Sequence, residues 1–112
     1  MNFAKKNRVP RELFETVFKK TKPFSSQFLK LRFSPANEGV KASFVVAKNV
    51  AKKATTRNLI KRRGYSILRS IKNEIKGGVY LFFIQPKASG VSFNDFKKEI
   101  IDLIKKARLF HG

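Results

Sequence analysis

Residues 44–69, FVVAKNVAKKATTRNLIKRRGYSILR, decide how this chain is read. The stretch opens as an apolar strand, passes through a Lys-rich turn holding Lys48, Lys52 and Lys53, and continues into a helix. That helix begins near Ala54, where Thr55 or Thr56 can cap it. At about 100° per residue, Arg57, Lys61, Arg62, Arg69 and Lys72 fall on one side, with Asn58 and Tyr65 among them. Ile60, Ile67, Leu68, Ile71 and Ile75 gather on a neighbouring side, at the spacing of a core-facing stripe. No acidic residue occurs between Glu38 and Glu74, whereas a merely solvated helix mixes both signs. One face buries itself, and the other is a surface for a polyanion.

Upstream, Gln27–Phe33 alternates, with Leu29, Leu31 and Phe33 on one face and Phe28, Lys30 and Arg32 on the other. A basic, aromatic outer face suits stacked bases and held phosphates; the plainer reading is a solvent face with one stray Phe. A turn around Pro35, Asn37 and Gly39 leads to a second strand, Lys41–Lys48, expected to pair with the first as an antiparallel hairpin. Before them, Pro10–Lys20 carries Leu13, Phe14, Val17 and Phe18 in the pattern of an amphipathic helix, and residues 1–9 form a loose basic arm. Phe14 and Phe18 lie one turn apart. On the residues alone both are core, and Leu13 and Val17 make Phe18 the one expected to turn inward.

Downstream, the long helix is expected to end at Gly77-Gly78. Val79–Ile84 follows as a short buried strand, parallel to the strand ending at Lys48 because a helix separates them. Ser92 with Asp95 gives a capping-box-like start to a last helix, whose stripe is Phe96, Ile100, Leu103, Ile104 and Ala107. The order helix-strands-helix-strand-helix makes an α+β fold, a two-layer α-β sandwich in one domain spanning residues 1–112.

Composition narrows the function. Lys and Arg number 26 against 7 acids, a formal +19, while 42% hydrophobic residues argue against disorder. Self-repulsion at that imbalance calls for a polyanionic partner, and nucleic acid fits best. The basic segments lack the strongly apolar opposite face that a membrane-surface helix needs. The absence of cysteine excludes disulfides, thiol catalysis and Cys-type zinc sites, and fits a reducing cytosol. The opening MNFAKKNRVP has no apolar core of a secretory signal, and no apolar run is long enough to span a bilayer, so a soluble cytoplasmic protein is expected. A protein nuclease needs a base, a nucleophile or a carboxylate cage. The one histidine is His111, beside the C-terminus. Asp95, Glu99 and Asp102 share a helix, where they are expected to partner Lys98, Lys105 and Lys106 at the solvent face. No catalytic or metal site is expected in the chain itself.

The run Lys52–Arg63, KKATTRNLIKRR, directly after FVVAKNV, resembles the RNR signature of the protein subunit of bacterial ribonuclease P. Arg8 with Leu13-Phe14-Glu15-Thr16-Val17-Phe18-Lys19 is similar to that family's opening Arg and Phe-x-x-Val-Phe helix. Gln85-Pro86-Lys87-Ala88 and Ser92-Phe93 resemble its Arg-Pro and Ser-Phe stretch. The resemblance implies a partner of a catalytic RNA that cuts the 5′ leader from precursor tRNA, with Mg2+ held mainly by that RNA and no obligate protein partner. It also implies a left-handed crossover around the signature helix, against the usual right-handed rule. On this basis Lys48, Lys52, Lys53, Arg57, Asn58, Lys61, Arg62, Tyr65 and Arg69 are the candidate RNA-binding residues. Phe14, Phe18, Phe28 and Lys30 are the candidates for a cleft that receives the leader. The chain departs from the family at Leu59, in place of the motif's second Arg, and at Asn49, in place of a Lys. Gly64 and Ser66 replace the usual Leu and Glu, and Leu31 lies near a position often held by Tyr. The rival reading is a structural RNA-binding protein, such as a small ribosomal protein.

Overall fold

The strand Gly78–Ile84 (β4) reads GVYLFFI, in which the Tyr80 hydroxyl is the one polar side-chain group, so both of its edges are paired and most of it is buried. In the computed structural model, which describes residues 8–37, 39–88 and 90–111, β4 lies inside a four-stranded sheet of order β1-β2-β4-β3. Strand β2 (Leu29–Pro35) runs antiparallel to it on one side, and β3 (Val40–Val46) runs parallel on the other. A two-residue strand, β1 (Phe24–Ser25), extends the outer edge of β2. The expected hairpin of β2 with β3 is therefore corrected. Those two strands are successive in sequence, but β4 inserts between them, where a strand without charged residues loses no backbone pairing to solvent. The parallel pairing of β4 with β3 is as expected, since a helix joins them.

Three helices, α1 (Arg11–Lys20), α2 (Ala54–Ile71) and α3 (Phe93–Lys106), surround the sheet. Strand alternation sorts them onto its two faces. Tyr80, Phe82 and Ile84 of β4, with Leu29 and Leu31 of β2 and Ala42, Phe44 and Val46 of β3, bury against α2 and α3. The intervening Val79 and Leu81 face the other way and close on Val17 of α1, with Leu13, Phe14 and Phe83 partly buried beside them. Two helices thus seal one face, and a single short helix covers part of the other. That uneven cover leaves sheet surface open.

Local signals account for the helix ends. Ser92 Oγ accepts from the Asp95 N–H at 3.2 Å, the cap expected for α3. Helix α2 starts at Ala54, but its N-cap is Lys53 with no side-chain bond, which puts Thr55 and Thr56 inside the first turn. It also stops at Ile71, short of the glycines. The backbone beyond is used differently: Ile75 bridges Phe110, Lys76 N–H donates to Leu109 O at 2.7 Å, and His111 N–H donates to Glu74 O at 2.8 Å. The chain's end thus takes groups that a longer helix would have used. On α3, Glu99 accepts from the Gln27 N–H at 2.8 Å and Lys106 Nζ donates to Ser25 O at 3.0 Å. These charges tie the helix to the sheet's edge, in place of the expected pairing along the helix. Of the basic arm at residues 1–9, residues 1–7 lie outside those described; Arg8 bridges Ala42 on the outer edge of β3.

Candidate nucleic-acid interface

The signature helix α2 crosses β3 closely because Gly64 carries no side chain. A Cβ there would stand 2.5 Å from Phe44 Cε2. The next residue, Tyr65, packs edge-on against the same ring at 5.1 Å, and its hydroxyl accepts from Phe44 N–H at 3.4 Å. Tyr65 is only 8% exposed, so it is a wall of the interface and not the free phenol that the helical wheel places among the cations. The Arg8 guanidinium lies 5.2 Å from its ring centre, within range of a cation–π contact. Arg8, Ser43, Phe44, Asn58, Lys61, Arg62 and Tyr65 together line an open groove of about 540 Å³ along the edge of β3. Arg62 and Asn58 are exposed and Lys61 is half-buried.

Arg57 is placed differently. Its Nη1 donates to Ala51 O at 2.9 Å and to Lys52 O at 2.7 Å. The guanidinium thereby holds the turn that precedes its own helix, from which Lys48, Lys52 and Lys53 project into solvent. No acid stands in the first turn of α2, so the helix dipole adds positive potential at the same end. Arg69 is exposed farther along the helix and does not line the groove.

A second surface lies on the half-covered face of the sheet. The strand registers set Lys30, Phe83 and Val45 side by side. Over this row stand Phe14 and Phe18 of α1, their rings near-parallel at 6.3 Å. Phe83 meets them edge-on at 5.9 and 5.7 Å. Phe18 is 43% exposed, whereas Phe14 is partly buried among the residues around Val17. That order reverses the expectation that Phe18 turns inward. Arg32 reaches up from β2, with its guanidinium 4.2 Å from the Phe18 ring centre.

Phe28 does not join this group. It precedes β2 and escapes the strand's alternation, so its ring turns to the sealed face, 6% exposed in the main core. Phe83 takes the place expected of it. The sequence concealed Phe83 because a strand with no charged residue on either face has no visible outward parity; counting from Val79 and Leu81 would have supplied it. Leu31 is likewise fully buried, and the residue of β2 that faces the cleft at this height is Arg32. Among the described residues, no group of three or more His, Asp or Glu could hold a metal ion. These residues do not fit a resident Mg2+.

Comparison with known proteins supplies the family and the fold. The family model for Ribonuclease P matches residues 3–108. The chain belongs to that family. It is 28% identical over 105 residues to the ribonuclease P protein component of Pseudanabaena sp., covering 91% of this chain and 90% of that one. The component from Xylella fastidiosa is 26% identical over 96 residues, covering 86% and 71%. The Thermotoga maritima RNase P protein superposes with a TM-score of 0.80 at 26% identity, covering 94% of this chain and 98% of that one. The Staphylococcus aureus RNase P protein superposes at 0.86 with 17% identity, covering 94% and 98%, a likeness of fold. Family membership makes this the protein part of the ribonuclease P endoribonuclease, a ribonucleoprotein, and sets aside the ribosomal reading. No helix of the described residues is long and apolar enough to cross a membrane.

Proposed function

We propose that the chain grips two RNAs at once, the catalytic RNA along α2 and the single-stranded leader of precursor tRNA across the half-covered sheet face. The observation that carries this reading is the shared wall. Strand β3 presents Ser43 and Phe44 to the cationic groove and Val45 to the row that holds Phe83 and Lys30. In the groove, Arg8, Lys61 and Arg62 neutralise phosphates while Asn58 supplies a neutral donor and acceptor. Lys48, Lys52 and Lys53 extend the contact from the turn that Arg57 holds. In the cleft, Phe14, Phe18 and Phe83 offer ring surface on which bases stack for about 1–3 kcal/mol each, largely without regard to sequence. Lys30 stands beside them for the backbone. Bond cleavage is left to the RNA, and so is Mg2+, for which the acids among the described residues gather no group of three or more. The protein's part is to hold the leader in place and lower the repulsion between two polyanions, and the cytoplasm is where precursor tRNA would be met.

Purified chain added to ribonuclease P RNA and precursor tRNA at low Mg2+ tests the reading. Stimulated release of the 5′ leader is expected. Unchanged cleavage, with the chain sedimenting instead with ribosomes, would overturn it.

A further inference from the structure

We infer that Arg32 is the positioning residue of the aromatic cleft, acting on the leader through Phe18; this rests on the leader-binding reading above. The last carbonyls of a helix have no partner within it, and they carry the negative end of its dipole. At the end of α1, the Thr21 N–H and hydroxyl both go to Val17 O, at 3.1 and 2.6 Å. The Phe18 carbonyl is taken from outside the helix, by Arg32 Nη1 at 3.0 Å. The same nitrogen also donates to Thr21 O. While Nη1 ties the end of α1 to β2, the guanidinium carbon lies over one side of the Phe18 ring, 4.2 Å from its centre.

One side chain therefore fixes both the backbone that carries Phe18 and the ring itself. Phe18 needs this. It is 43% exposed, and on the protein side it is held by the edge of Phe83 and the offset ring of Phe14. Without a wall on the Arg32 side, the ring would lose its fixed rotamer, and ordering it would be charged to each binding event. Only arginine suits the place: lysine keeps the charge but has neither the planar face nor the fork. Arg32 also borders an open recess with Phe18, Pro23, Lys30, Phe83 and Gln85, so the ring it fixes forms part of the surface available to a nucleotide.

The reconstituted holoenzyme supports a double-mutant cycle. Affinities for leader-bearing precursor tRNA and for mature tRNA are measured with the parent, Arg32→Lys, Phe18→Ala and the double variant, each first shown by melting to be folded. If lysine lowers the melting point, Arg32→Gln takes its place in the cycle. The expected result for Arg32→Lys is a loss of about three- to tenfold for leader-bearing RNA, with mature tRNA unchanged and no further loss in the Phe18→Ala background. Arg32→Lys matching the parent, or losses that multiply in the double variant, would overturn the inference and leave Arg32 as a plain phosphate contact or a bystander. Phe18→Ala binding leader-bearing RNA as the parent does would instead overturn the cleft reading, and the inference with it.

Discussion

Replacing Gly64 with alanine sets two effects of opposite sign against each other. Inside a helix, alanine is favoured over glycine by about 1 kcal/mol, so α2 on its own gains. The tertiary setting reverses the sign. A Cβ at this position would lie 2.5 Å from Phe44 Cε2 and 2.7 Å from Cδ2 and Cζ, well inside contact distance along one edge of the ring. The ring has nowhere to go. It is buried, stacked on Phe82 at 4.8 Å with 6° between planes, and blocked by the edge of Tyr65 at 5.1 Å. Overpacking a fixed core costs about 1–3 kcal/mol, and a pinned aromatic belongs at the upper end. The net is a loss of about 1–2 kcal/mol, roughly 4–10 °C in melting temperature for a chain of this size. Urea titration and thermal melting followed by circular dichroism read it directly, as the chain has no tryptophan to report by fluorescence. Phe44→Leu in the Gly64→Ala background makes room and should recover about 1 kcal/mol of the cost as a coupling. A Gly64→Ala protein as stable as its parent would refute the close-approach argument.

Ile67→Ala, at a buried core position of α2, should cost about 2–5 kcal/mol in denaturant titration, and Ile60→Ala, only partly buried, clearly less. Arg62→Ala should weaken affinity for ribonuclease P RNA, flatten its salt dependence by about one unit of slope and leave the melting temperature unchanged. Arg57→Ala should lower both affinity and stability, the latter by about 1 kcal/mol, because its guanidinium bonds two carbonyls of the adjoining turn. Burial pushes the Tyr80 phenol well above its ordinary value of about 10, and its O–H donates to Lys76 O at 2.6 Å. The neutral phenol therefore stabilises the fold fully below about pH 10, and this contribution falls as pH rises above that, where the unfolded chain ionises and the folded one resists. Urea titrations between about pH 8 and 11 should show that fall in the parent and a flatter course in Tyr80→Phe.

Helix periodicity was legible wherever one stripe met the core and the other met water. The bounds of α1, the start of α2 and the Ser92 cap of α3 follow from residue order alone. Sheet order was not legible, because local sequence carries no record of a strand arriving from beyond a whole intervening helix. Nothing in Leu29–Val46 signals that Gly78–Ile84 will separate its two strands. The end of α2 is hidden from local sequence for a similar reason. Gly77 and Gly78 are genuine breakers, but the partners that draw Ile75, Lys76 and Glu74 out of the helix are Phe110, Leu109 and His111, at the far end of the chain. Gly64 shows the converse. As an isolated helix residue it reads as a weakness, and only the ring of Phe44 explains it.

The same division runs through the candidate interface. A helical wheel finds charges that project from a regular surface, and Asn58, Arg62 and Arg69 stand exposed on α2. It misreads any polar residue that has a second task. Tyr65 lies on the right side of the wheel but closes over Phe44, and Arg57 lies there too but turns back onto its own loop. The cleft is harder still, because it is assembled from an exposed edge of one element and a parity in another. Phe83 faces the cleft because β4 alternates about a centre fixed by Val79 and Leu81 under α1. It stays accessible because α1, with only 10 residues, leaves Phe83 and the neighbouring Val45 of β3 only partly buried. A longer α1 would cover that row and convert Phe18 and Phe83 from surface into core. The short helix and the inserted central strand are therefore one design: the sheet gains a buried middle on one face and keeps an unsealed aromatic row on the other, next to the strand that also walls the cationic groove.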